Sequence, residues 1–202
     1  MENKNLVFIL CDFLQVWIHQ ILYQRELYPL DTFEIRKFYD IPVYMNFHPK
    51  VCDYICQFIK AIKPMIDQGS CKSITILISS SSSSEIEKYV MEIEELDVAY
   101  SLVSTDISNL QYYFRSCLLK MNALPSLLPF HNSVDQQQFT LHLDLISPLS
   151  HHDREIITWV PTNNKKNKNE PVPWQQLIPI KTIFVHYLKI NFFVVATFKK
   201  EK

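Results

Sequence analysis

The chain has 202 residues, 48% of them hydrophobic, which is enough for one well-buried core, and no shift of composition parts it into two packed halves. A formal charge of -1 and a pI near 6.6 suit it poorly to neutralising a run of phosphates, so direct tight DNA binding is not expected. Its one glycine, Gly69, excludes the glycine-rich loops of dinucleotide and P-loop sites.

From Leu6 to about Leu27 apolar residues fall on more than one face (Phe8, Ile9, Phe13, Leu14, Trp17, Ile18, Ile21, Leu22), the mark of a helix buried on several sides at the centre of a fold. Asp12, Gln15, His19, Gln20, Gln24 and Arg25 interrupt it short of the roughly 20 apolar residues that a membrane span needs, so a soluble intracellular protein without a membrane partner is expected. A charged turn and a proline-bounded strand around Ile41-Pro42-Val43 lead to a second helix. There Pro49 suits the first turn, and Val51, Tyr54, Ile55, Phe58, Ile59, Ile62, Met65 and Ile66 repeat at 3-4 spacing. Pro64 and Gly69 mark its end.

Strands are predicted over Ser73 to Ile78 and Glu85 to Ile93, the second with Tyr89, Met91 and Ile93 on one face, joined by a serine run, Ser79 to Ser84, read as a hairpin loop. Ser104 and Asp106 start a third helix that turns Ile107, Leu110, Phe114, Cys117, Leu118, Met121 and Leu124 inward. Phe139, Leu141, Leu143 and Leu145 alternate with Thr140, His142 and Asp144 in the cleanest strand pattern of the chain. A polar segment, Thr162 to Glu170, separates it from two last strand candidates near Leu177 to Leu188 and Ile190 to Phe198. Three helices with antiparallel strands make an α+β layer fold.

Candidate chemistry is sparse. Cys11, Cys52, Cys56, Cys71 and Cys117 are odd in number, lack C-x-x-C spacing and read as reduced, mostly buried thiols, with no metal or cofactor expected. His151-His152-Asp153 invites an enzyme reading, but neighbours on a strand point to opposite faces and no nucleophile is spaced to join them, so the pair reads as a surface feature. No enzyme is expected.

The stretch Ile21-Leu22-Tyr23-Gln24-Arg25 with Tyr28-Pro29 resembles the HORMA domain. Arg36-Lys37-Phe38-Tyr39, Ile41-Pro42-Val43, His48-Pro49 with Tyr54, and the later Leu177-Ile178-Pro179-Ile180-Lys181-Thr182 are similar to the branch of that family that serves as the accessory, non-catalytic subunit of DNA polymerase zeta. The first block is shared with the spindle-checkpoint branch, which binds mitotic regulators, and that branch stays open as an alternative.

The resemblance implies a single HORMA domain over residues 1–202, three main helices packed on an antiparallel sheet, with residues 159–202 forming a mobile C-terminal seatbelt. It implies that the seatbelt closes over an extended, proline-containing peptide of the polymerase catalytic subunit laid along the sheet edge. Strand addition would supply affinity, and enclosure slow release. Tyr54 and Trp159 match peptide-contacting positions, where a phenol and an indole offer large surfaces at little rotamer cost; by pattern alone core packing is the favoured reading for both, and the resemblance turns it to binding. Leu177, Asn191 and Phe193 match positions that dock the C-terminal domain of the scaffolding translesion polymerase, although the family pattern carries a longer amide and a tyrosine where Asn191 and Phe193 stand. Arg115 matches a position of HORMA self-association. A remodelling ATPase to exchange partners and a nuclear setting, with cytoplasm as a second compartment, complete the implied picture, and damage tolerance is not separated from break repair.

Overall fold

In a computed structural model, the residues described are 6–80, 85–100, 102–128, 137–147 and 174–198. Helix α1 (Leu6–Gln24) is long and apolar enough to cross a membrane, but fourteen of its nineteen residues are buried inside the fold. Phe13 stacks on Phe114 with centroids 4.1 Å apart and meets Phe192 edge-on at 5.6 Å, while Trp17 meets Phe192 at 5.8 Å. A helix apolar on every side thus becomes the axis on which the other elements are hung.

Strands β1 (Phe33–Phe38) and β2 (Ile41–Asn46) form a two-stranded antiparallel hairpin of their own, with β2 on α1. Strand β1, not predicted from the sequence, carries Glu34, Arg36 and Lys37, and solvent wets both of its faces. The turn is Tyr39-Asp40, with φ of 50° and 61°, the doubly left-handed two-residue connection that matches strand twist. Tyrosine is an unusual occupant there. Ring contacts of Tyr39 with Phe13 at 6.0 Å and Phe114 at 5.6 Å hold it.

Helix α2 (Pro49–Asp67) begins at Pro49 as expected, but Pro64 sits inside its last turn instead of ending it, and Gly69 at φ 65° closes the chain back on Ile66. Helix α3 (Ser104–Met121) has Val103, not Ser104, at its N-cap. The Asp106 carboxylate accepts the Val103 N–H at 3.1 Å, which is the half of a capping box that a valine cap leaves possible.

The main sheet is antiparallel throughout: β3 (Cys71–Ser80), β4 (Glu85–Leu96), β5 (Gln137–Leu145), β6 (Trp174–Val185) and β7 (Leu188–Phe198) stand in the order β5-β3-β4-β7-β6. Leu188 belongs to β7, because the turn is His186-Tyr187. The inner face carries Ile74, Ile76, Ile78, Tyr89, Met91, Phe192 and Val194 against the helices. Arg25 and Glu87 form an ion pair at 2.7 Å within this layer, with side chains only 9% and 0% exposed, and Tyr89 donates a further hydrogen bond to Glu87 at 3.0 Å.

The ends of the two outermost strands set a geometric condition. Leu145, the last residue of β5, lies opposite Cys71 at one end of the sheet, whereas Trp174, the first of β6, lies opposite Phe198 at the other end and on the far edge. Residues 146 to 173, 28 in number, therefore separate in sequence two diagonally opposite corners of the sheet. Four strand spacings and a nine-residue strand put those corners about 35 Å apart, against a maximal reach of about 95 Å for such a length.

Candidate functional site

Two kinds of surface stand out around this frame, an aromatic-lined sheet edge and two half-apolar faces. At the edge, β5 pairs with β3 on one side, and among the described strands nothing pairs with the other. The Leu141 N–H, on the open side, donates to the hydroxyl of Tyr54 at 3.2 Å. Tyr54 reaches there from α2 because its position falls on the flank of the buried 3-4 stripe rather than within it, and it remains 41% exposed. Its ring meets Phe139 of β5 at 5.5 Å, and Tyr28, from the loop after α1, meets the same phenyl edge-on at 6.2 Å. Burial, and to a lesser degree the neighbouring Tyr54, raise the pKa of Tyr28. Three aromatic rings thus wall an edge whose backbone groups point outward.

Tyr54, expected from resemblance as a peptide contact on the second helix, lies on α2 beside the β5 edge and is 41% exposed. Tyr28 and Phe139 were not singled out as site residues. Their signal in the sequence was only an aromatic before Pro29 and an aromatic in an alternating strand, and neither says which strand is outermost. Trp159, His151-His152-Asp153, Ser81 to Ser84, the polar segment Thr162 to Glu170 and the first fifteen residues of the 159–202 segment lie outside the described residues.

The C-terminal hairpin β6–β7 docks on β4 at the opposite edge from β5, and its inner residues Ile178, Ile180, Phe192 and Val194 are part of the core. Three contacts fasten it. Lys181 lies over the ring of Tyr113 on α3 at 5.6 Å, and at the turn Tyr187 stacks on Tyr100 at 4.4 Å while its carbonyl accepts the Asp97 N–H at 3.0 Å. On its outer face the pairing of Leu177 with Val195, Pro179 with Phe193 and Thr182 with Asn191 brings Leu177, Asn191 and Phe193 onto one surface. Leu177 is 59% exposed and Phe193 half-buried. The Asn191 amide is committed to its own sheet: its oxygen accepts from Thr182 at 2.9 Å, and its nitrogen donates to Glu92 at 3.3 Å and to Glu94.

Arg115 stands on α3, half-buried, above an open depression that it lines with Tyr112, Ser116, Leu119, Lys120 and Ala123. Its guanidinium lies 5.9 Å from the Tyr112 ring centroid, and Tyr112 and Leu119 are exposed. Across from it, Lys37 bonds to Asp40 at 3.0 Å and lowers the pKa of that carboxyl, Arg115 adding a weaker pull of the same sign.

Among the described residues, further titratable groups are shifted chiefly by burial. Burial pushes the Cys11 thiol up to about 11 and the Cys71 thiol up to about 12, which makes both poor nucleophiles. His19 is held down to about 4, by burial first and the Arg36 charge second, so its neutral ring accepts the Asn46 N–H at 3.1 Å. Nothing in this set is arranged as nucleophile, base and orienter.

Comparison with known proteins gives the family and the fold. The HORMA domain pattern matches residues 8–127. A zebrafish (Danio rerio) protein named mitotic spindle assembly checkpoint protein MAD2B is 26% identical over 189 residues, covering 92% of this chain and 88% of that one. The Arabidopsis thaliana DNA polymerase zeta processivity subunit is 27% identical over 174 residues, covering 86% and 78%. Among solved structures, a chain of a mitotic checkpoint complex superposes with a TM-score of 0.78 at 16% identity, covering 95% of this chain and 98% of its own. A Caenorhabditis elegans HTP-2 bound to a HIM-3 closure motif superposes at 0.69 and 10% identity, covering 94% and 89%. At such identities these structures speak for the fold alone.

Proposed function

The chain belongs to the HORMA-domain family, and on that premise we propose that it is a non-catalytic adaptor that captures an extended peptide of the DNA polymerase zeta catalytic subunit and couples it to the scaffolding translesion polymerase. The observation that carries this reading is the arrangement of the sheet. Among the described residues no strand pairs with the outer edge of β5, which is walled by Tyr28, Tyr54 and Phe139, while the C-terminal hairpin is docked on the opposite edge. A peptide added beside β5 gains backbone hydrogen bonds from the edge and aromatic surfaces for its apolar and proline side chains. Residues 146–173, joining the two corners with about 60 Å of length to spare, are long enough to pass around such a strand. In this reading the whole chain is one domain, with residues 159–202 as its seatbelt and Trp159 as the second aromatic contact.

The outer face of β6–β7 is the second docking surface. Leu177 is its apolar anchor and Phe193 its flank. Asn191 serves by ordering Glu92, Glu94 and Thr182 more than by reaching out, because its amide is already engaged. Arg115 and the depression beside it are the face for a second HORMA copy. A remodelling ATPase would speed exchange, since release requires β7 to leave β4 and carry Phe192 out of the core. The nucleus is the setting such a partner implies.

The test is fluorescence anisotropy with two labelled peptides, one from the polymerase zeta catalytic subunit and one from a checkpoint partner, each chased to obtain its dissociation rate. Tight, slowly released binding of the polymerase peptide, sharply weakened in Trp159→Ala with the fold retained, is the expected result. Preference for the checkpoint peptide would favour mitotic control, the reading that the names of the MAD2B relatives support. Binding of neither would refute the adaptor as proposed.

A further inference from the structure

Tyr54 does something at the edge that a simple contact surface would not. The Leu141 N–H is spent on its hydroxyl, and Leu141 sits near the middle of β5, opposite Ile76. In an antiparallel strand the direction of the backbone groups alternates with period two, as the side chains do. An outward Leu141 N–H therefore makes Phe139, Leu141 and Leu143 the residues whose backbone groups a new strand would meet. The central one of these three is already taken, by a side chain from another element.

We propose that the Tyr54 hydroxyl is a displaceable cap on the β5 edge, holding the Leu141 N–H while the edge is empty and yielding it to an incoming peptide strand. The inference rests on the peptide reading above and adds how that edge is guarded. An exposed edge invites unselective strand pairing, and proteins blunt such edges with side chains that make pairing unfavourable. A phenol is well suited to this task. The phenol oxygen moves only with its ring, so a small tilt of the ring about its contact with Phe139 draws the hydroxyl off Leu141 at the cost of one bond and leaves the ring as a wall of the groove. Because Tyr54 is 41% exposed, the displaced hydroxyl is taken up by water and leaves no buried polar group behind. A short or poorly matched strand gains too little to replace the bond, whereas a strand that also pairs at Phe139 and Leu143 gains more than it displaces. The cap thus selects for extended peptides that span all three positions.

The experiment uses the full chain and its Tyr54→Phe variant, which keeps the ring and removes the hydroxyl. Amide hydrogen exchange is read at Leu141 by NMR with no peptide present, and anisotropy is then read with the labelled proline-containing peptide of the polymerase zeta catalytic subunit. The expected results are faster Leu141 exchange in the variant and peptide binding tighter by about two- to tenfold, the range equivalent to the net worth of one hydrogen bond. Unchanged exchange would overturn the cap. Faster exchange with equal or weaker peptide binding would overturn displacement, since the hydroxyl would then be a bystander or a direct peptide contact. Faster exchange with no binding to either chain would overturn the peptide site and the displacement step together, an outcome distinguishable from failure of the cap because exchange is read on the free protein.

Discussion

Replacing Arg25 by methionine removes one half of the buried ion pair, the guanidinium that stands 2.7 Å from the Glu87 carboxylate, whose side chain is 0% exposed. Tyr89 donates one hydrogen bond to it at 3.0 Å, but a hydroxyl does not neutralise a charge. Breaking a buried pair from one side costs about 3 to 5 kcal/mol, because a buried charge loses its counter-charge. That is a large share of the roughly 5 to 15 kcal/mol by which domains are stable. Urea unfolding followed by far-UV circular dichroism should show the transition moved to much lower denaturant at an unchanged slope. The double variant Arg25→Met, Glu87→Leu should recover most of the loss, since an apolar pair of similar size fits a layer lined by Ile78 and Ala196 beside Glu87. A single-variant loss under about 1 kcal/mol, the worth of an exposed pair, would refute the reasoning.

Three other outcomes follow from the described contacts. His19, held at about 4 against an ordinary value of 6.5, takes up a proton in the unfolded chain before it does so in the folded one, so it withdraws stability as pH falls from 6.5 towards 4. The stability gap between wild type and His19→Gln should shrink by about 3 kcal/mol between pH 7 and pH 4, and a gap independent of pH would refute the assignment. Leu177→Ala should abolish or weaken at least tenfold the binding of the scaffolding polymerase's isolated C-terminal domain in titration calorimetry while leaving peptide capture intact; unaltered binding would remove this face from the interface. Sedimentation of the peptide-bound protein should show a dimer that Arg115→Ala converts to monomer, and a monomer in both would defeat the self-association reading.

Much of this architecture was legible because single-element patterns are local. The 3-4 repeat from Val51 to Ile66 and the alternation from Phe139 to Leu145 each report a burial face directly, and both elements are present where expected. Pro64 misled because a proline near the end of a helix forfeits only one late hydrogen bond, which the last turn tolerates. The β6–β7 turn was missed because His186-Tyr187 carries none of the usual turn residues and is held by Tyr100 and Asp97, which are remote in sequence. Strand β1 was missed because neither of its faces is buried, so no period-two signal exists to be seen. At the site, the position of Tyr54 followed from resemblance, but the bond from Leu141 and the meeting of Tyr28 with Phe139 depend on which strand lies outermost. That is a property of pairing across the whole chain.

In the proposed reading the segment between Leu145 and Trp174, whose ends lie at diagonally opposite corners of the sheet, would act as a tether rather than a mere linker. A strand enclosed by it would be held by connectivity, and connectivity is severed by a single proteolytic nick. Cutting between those two corners would leave the five-stranded sheet paired and the Tyr54 edge in place, yet turn a mechanical linkage into an ordinary equilibrium. Affinity would then survive while residence time collapsed, so lifetime and strength of the complex are set by physically separate parts of one small domain.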